Sequence, residues 1–143
     1  MVEKYFGGKL IAEREADAID DELIALIRGT AENYAREMDA FQPHLALEHI
    51  FKLIQRANKY IDETTPWILA KSEETKARLL TVMKNLCECI RIAAILITPF
   101  MPESAEKILN MLNVPGNARG WDALCYCADE KAVWTTTVGP VLF

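Results

Sequence analysis

A chain of 143 residues with 51% hydrophobic and 26% charged side chains has the length and balance of one folded domain, which excludes a disordered or fibrous chain. Its formal net charge of -5 excludes indiscriminate adhesion to nucleic acid, which depends on neutralising phosphates, and leaves room for a local basic strip only. The longest apolar stretch, residues 92–101, is interrupted by Thr98 and Pro99 and falls far short of the roughly 20 residues that span a bilayer. Glu3 and Lys4 followed by Gly7 and Gly8 do not form a secretory start, so a cytoplasmic protein with no membrane partner is expected.

After a short start at residues 1–6, residues 7–18 read as a turn and an exposed connection of mixed charge. The first full helix is expected next. Asp20 or Asp21 can cap it, and Ile24, Ile27, Ala31, Tyr34, Met38 and Phe41 recur at steps of three and four to give one apolar stripe. Gly29 costs that helix about 1 kcal/mol relative to Ala unless close packing requires it. The second helix is expected over about 43–62, with Leu47, Ile50, Ile54, Ala57 and Ile61 inward. On its other side Lys52, Arg56 and Lys59 form a basic stripe, which suits either phosphate contacts or an ordinary solvated face with Glu48 and Lys52 as a helix pair.

Pro66 removes a backbone donor and forces Thr65 out of the α region, so this helix must stop before it. A third, short helix over about 66–72 can begin at once, with Thr64 or Thr65 as N-cap and Pro66 at its first position. Trp67 then sits in a first turn near unsatisfied N–H groups, where a flat indole can stack a nucleobase; the plainer reading is a plug in the core. The long fourth helix, about 74–97, thickens its stripe of Leu79, Val82, Leu86, Ile90, Ala93 and Ile97 with Met83, Cys87, Ala94 and Ile95, as a central bundle helix does. Pro99 ends it, and Pro102 begins a shorter helix over about 102–113. Residues 121–126 can form one helical turn that packs Trp121 on the bundle. The β-branched run 133–138 reads as a strand without a partner. The fold expected is therefore all-α: a single domain over 1–143, with a bundle of four to five helices at 19–113 and a turn and irregular, extended tail at 114–143.

Catalytic machinery is not expected. No phosphate-cradling glycine loop, helical pair of metal-binding His residues or nucleophile elbow occurs. His44 and His49 are five apart and do not share a helix face, and acidic pairs such as Asp20-Asp21 and Glu73-Glu74 sit at helix starts, where the dipole accounts for them. Cys87 and Cys89, like Cys125 and Cys127, are spaced by two with no His close by, so reduced thiols rather than a zinc site are expected.

The segment Asn58-Lys59-Tyr60-Ile61-Asp62-Glu63, followed by Pro66-Trp67 and Ala70-Lys71, resembles the most recognisable stretch of the helical anticodon-binding domain of methionyl-tRNA synthetases. Tyr5-Phe6-Gly7-Gly8-Lys9, Ile97-Thr98-Pro99-Phe100-Met101-Pro102 and Gly139-Pro140-Val141-Leu142-Phe143 agree with it in order, although these flanking matches alone also suit the leucyl, valyl and isoleucyl enzymes. The resemblance implies that Pro66 and Trp67 bind the anticodon and that Trp67 stacks its first base. It further implies that Asp62 disfavours wrong bases, and that Lys52, Arg56 or Lys59 contacts tRNA phosphates. Asn58, placed beside Ala57 and Ile61, is expected to be buried and to tie its helix to neighbours. With no His-Ile-Gly-His string and no match to Lys-Met-Ser-Lys-Ser, the chain is expected to be one domain of a longer ligase. The catalytic domain and the first anticodon-reading helix would lie outside it; the fragment would need no cofactor, and ATP and Mg would act in the full enzyme. The expected partners are the tRNA anticodon loop and the catalytic domain, not DNA. A helical protein-interaction module, docking through Trp67, Ile68 and Leu69, is the competing reading.

Overall fold

The computed structural model describes residues 1–10, 15–125 and 134–136. In chain order these form α1 (Val2–Phe6), β1 (Lys9–Leu10), α2 (Ala18–Asp39), α3 (Pro43–Thr64), α4 (Pro66–Leu69), α5 (Lys76–Ile97), α6 (Pro102–Met111) and β2 (Trp134–Thr135). The chain is all-α in class, and α5 is its axis, packing against α2, α3, α4 and α6. Nearly every side chain from Leu79 to Leu96 on α5 is buried, the polar Thr81, Lys84, Asn85, Glu88 and Arg91 along with the apolar ones, as its central place in the bundle requires.

The long antiparallel hairpin of α2 and α3 lies against α5. Its first helix is capped three residues earlier than expected: Asp17 accepts from the Ile19 N–H, while Asp20 reaches back to the Asp17 N–H in a reciprocal capping box. At the other end Phe41 leaves the apolar stripe. It adopts φ 56 and is 92% exposed, because it occupies the left-handed position of a cap in which Gln42 N–H bonds Glu37 C=O and Phe41 N–H bonds Met38 C=O. Pro102 opens α6 at its first turn as expected.

Two expectations about the ends of the chain are corrected. The segment after α1 is not merely an exposed connection: Leu10 is fully buried, and the tail does have a strand partner. Lys9 pairs with Thr135 and Leu10 with Trp134 in a short antiparallel ladder, extended by the Thr136 N–H to the Gly8 carbonyl at 2.8 Å. Gly7 and Gly8 make this possible. Both have positive φ, and a Cβ on Gly8 would lie 2.9 Å from the Glu3 carboxylate.

Beyond α6, 3₁₀ turns at Gly116–Ala118 and Trp121–Ala123 bring the chain back over the bundle. The Trp121 ring lies 5.6 Å from that of Tyr34, as expected of a residue that packs on the bundle. The Arg91 guanidinium, paired with Glu88 inside α5, donates to the carbonyls of Ala118, Ala123 and Cys125 at 3.0, 2.7 and 2.8 Å.

Candidate nucleic-acid interface

α3 and α4 meet at Thr65. It ends α3 through its N–H to Ile61 C=O at 2.9 Å and starts α4 through its C=O, which accepts from Ile68 at 2.8 Å and Leu69 at 3.3 Å. To do both, Thr65 takes φ 44, the left-handed region that a β-branched residue disfavours. Its side chain makes no cap hydrogen bond, and the Ile68 and Leu69 N–H groups are already satisfied by its carbonyl. The expectation of unsatisfied donors beside Trp67 is corrected to that extent.

Pro66 is buried, whereas Trp67 is 46% exposed and Ile68 beside it is exposed as well. A proline plug therefore holds the turn against the bundle while the indole projects from it. At the far end of α4 the Thr75 hydroxyl donates to the Leu69 carbonyl at 2.6 Å, with the Ser72 carbonyl also in reach at 3.1 Å.

Beneath the junction a polar network joins three helices. Tyr60 on α3 donates its hydroxyl to Asp20 on α2 at 2.6 Å and accepts from Asn85 on α5 at 3.1 Å, and Arg78 grips both Asp20 oxygens at 2.7 and 2.8 Å. Burial alone would raise the Asp20 carboxyl, but the hydrogen bonds from Arg78, Tyr60 and the Asp17 backbone, with the Arg78 charge, hold it below the usual carboxylate range. The same contact, added to burial, pushes the Tyr60 phenol well above its ordinary value. Sequence reasoning missed this network. Its only signal was the presence of Tyr60 and Asn85 on otherwise apolar faces.

The basic stripe is not uniform. Lys59 is 67% exposed, with Glu63 at 3.6 Å, and Lys52 is likewise exposed, with Glu48 at 4.0 Å. Arg56 is different, and its expected phosphate contact is corrected: only 9% exposed, it bridges Glu22 on α2 at 3.0 Å and Glu63 at 3.0 Å. Its hydrogen bond and charge hold Glu22 below the usual carboxylate range. Asp62 is exposed in the last turn of α3. Asn58 is exposed too, which corrects the expectation that it is buried; it stands on the rim of a groove rather than between helices.

That groove is a largely apolar cavity of about 710 Å³ between α3, α5 and α6, lined among others by Ile54, Ile61, Met83, Leu86, Ile90 and Ile97, with Met1 and Val2 at one end. Cys87 and Cys89 also reach it, both buried, and burial pushes each thiol up to about 12. Cys125 is exposed, and Cys127 lies outside the described residues. Among the described residues no group of three or more His, Cys, Asp or Glu side chains is placed to hold a metal ion. No helix there is long and apolar enough to cross a membrane.

A helical hairpin laid on a central helix, with a proline-anchored tryptophan projecting at the junction, defines the architecture of a helical anticodon-binding domain. The family model for the anticodon-binding domain of methionyl tRNA ligase matches residues 11–140, and the chain belongs to that family. It is 43% identical over all 143 residues to the methionine--tRNA ligase of Clostridium acetobutylicum and 45% identical over the same length to that of Clostridium tetani. In both cases it spans 22% of the relative. Among solved structures, apo methionyl-tRNA synthetase of Mycobacterium tuberculosis superposes with a TM-score of 0.87 at 38% identity, covering 99% of this chain and 28% of that one. The match settles the choice among the methionyl, leucyl, valyl and isoleucyl types that the flanking motifs left open.

Proposed function

We propose that this domain positions a methionine-accepting tRNA by its anticodon for a catalytic domain elsewhere in a longer ligase. The observation that carries this reading is the division of labour at the α3–α4 junction: buried Pro66 fixes the turn, and half-exposed Trp67 offers a ring face to an unpaired loop base. Stacking of that kind is worth about 1–3 kcal/mol per base and needs no net positive charge, so it is compatible with an acidic chain. Asp62 contributes by repelling bases whose acceptor atoms would face it. Lys59 and Lys52 contact phosphates. Lys52 pairs with an exposed Glu48 and Lys59 with a Glu63 already engaged by Arg56, and loose surface pairs of a lysine are worth roughly 0–1 kcal/mol, so turning either ammonium to a phosphate costs little.

In the longer protein the ligase uses ATP and Mg in its catalytic domain to activate methionine, and a helix of that same protein covers the apolar groove. The reading is supported by the small share of the relatives that this chain spans and by Phe51, Ile90 and Met101, which stand exposed at the groove.

An electrophoretic shift with an anticodon stem-loop, repeated with a scrambled loop of equal length and charge, tests the proposal. Retardation of the first alone is expected. Equal retardation of both would reduce the interaction to phosphate attraction, and binding of neither by the intact ligase would favour a protein-docking role for Trp67 and Ile68.

A further inference from the structure

Resting on the role proposed for Trp67, we propose that Thr75 is a positioning residue that fixes the stacking platform by clamping the far end of α4. A four-residue helix does not hold its shape unaided, since one turn orders several dihedral angles for very few hydrogen bonds. α4 is also entered through Thr65 in a conformation that a β-branched residue disfavours, so its geometry must be over-determined from outside. At its beginning that constraint is the burial of Pro66. At its end it is the Thr75 hydroxyl, 2.6 Å from the Leu69 carbonyl. Thr75 stands at the N-cap of α5, the central helix of the bundle, so the clamp ties the one-turn helix to the element against which α2, α3, α4 and α6 pack. Trp67 lies between the two fixed ends, one residue after Pro66 and two before Leu69. Thr75 touches no base in this scheme; it acts through the orientation of the indole.

The test compares Thr75→Val, which keeps shape and removes the hydroxyl, with Thr75→Ser, which keeps the hydroxyl, in the intact ligase. Trp67→Ala serves as the reference. Methionine-dependent ATP–pyrophosphate exchange, charging kinetics against tRNA, and amide hydrogen exchange of the peptide covering residues 66–71 are measured for each. Thr75→Val is expected to raise KM for tRNA roughly five-fold, the equivalent of one net hydrogen bond. It should speed exchange in the 66–71 peptide while leaving pyrophosphate exchange and the peptides of α5 unchanged, and Thr75→Ser should restore both quantities. The proposal is overturned if Thr75→Val leaves both 66–71 exchange and KM for tRNA unchanged, or if Thr75→Ser behaves like Thr75→Val. A faster 66–71 peptide with an unchanged KM, while Trp67→Ala raises KM, would also overturn it. If Trp67→Ala itself leaves KM unchanged, the base-stacking reading fails first, and the hydrogen-exchange result then shows whether the clamp exists without serving recognition.

Discussion

At the scale of single residues, exposure decides which side chains act outward and which hold the fold. Trp67→Ala removes a half-exposed ring, so stability should change by no more than about 1 kcal/mol while tRNA charging by the intact ligase weakens by about 1–3 kcal/mol. A melting curve beside a charging assay checks this; loss of melting temperature with unchanged specific activity would refute the stacking role. Lys59 and Arg56 should separate in the same way. Lys59→Ala is expected to weaken anticodon stem-loop binding whatever its sequence and to lower the salt slope by about one, as loss of a phosphate contact does. Arg56→Met should leave the salt slope unchanged and lower stability, because its guanidinium joins α2 to α3 through Glu22 and Glu63. Titration of stem-loop binding with salt, together with denaturant melts, distinguishes the two. Proline chemistry made Pro66 and Trp67 legible in the sequence, since Pro must end one helix and can start the next. The fate of Arg56 was not legible. It has the same helical spacing as Lys52 and Lys59, and the carboxylate that captures it, Glu22, is 34 positions away on another helix.

At the scale of elements, hydrophobic periodicity revealed the three long helices and the shorter α6 to within a few residues, because each carries an apolar stripe that it buries against its neighbours. The connections were less legible, since they depend on single backbone conformations. Two positions of the α2–α3 hairpin are suboptimal in complementary ways. Gly29 lies inside α2 with nothing within 4 Å of a Cβ added there, so packing does not require it, while Phe41 occupies the left-handed cap position that glycine fills without strain. Gly29→Ala is expected to stabilise the chain by about 1 kcal/mol, and Phe41→Gly by a comparable amount. The sites are remote from one another along α2, so the double variant should show additive effects in urea melts. The β1–β2 ladder was missed because two-residue strands carry no periodicity, and their pairing spans more than a hundred residues of sequence.

At the scale of the whole molecule, the Asp20, Tyr60, Arg78 and Asn85 network couples stability to pH. The Asp20 carboxyl titrates lower in the folded chain than in the unfolded one, so its contribution is complete above the ordinary carboxylate pKa of about 4 and is lost as pH falls through the folded value. Unfolding free energy should therefore fall with acid below about pH 4, and Asp20→Asn should flatten that slope while lowering stability at neutral pH. Denaturant melts from pH 2 to 7 read both effects. Thiol titration provides a second global check. At pH 8, Cys87 and Cys89 should remain unreactive in the folded chain and all four cysteines should react after denaturation.

Arg91 has a further consequence for how this domain tolerates change. Part of the hold on the segment after α6 is one guanidinium that collects three carbonyls, those of Ala118, Ala123 and Cys125. A main-chain carbonyl is the same group whatever side chain its residue bears, so the tether is indifferent to mutation at its receiving end. Drift at exposed Cys125 leaves its bond intact, whereas Ala118, packed against the core, also helps set the course of the loop. On the bundle side this polar attachment depends on Arg91 and on Glu88, which pairs with it, while Trp121 against Tyr34 and the partly buried Ala118 and Leu124 supply the side-chain packing.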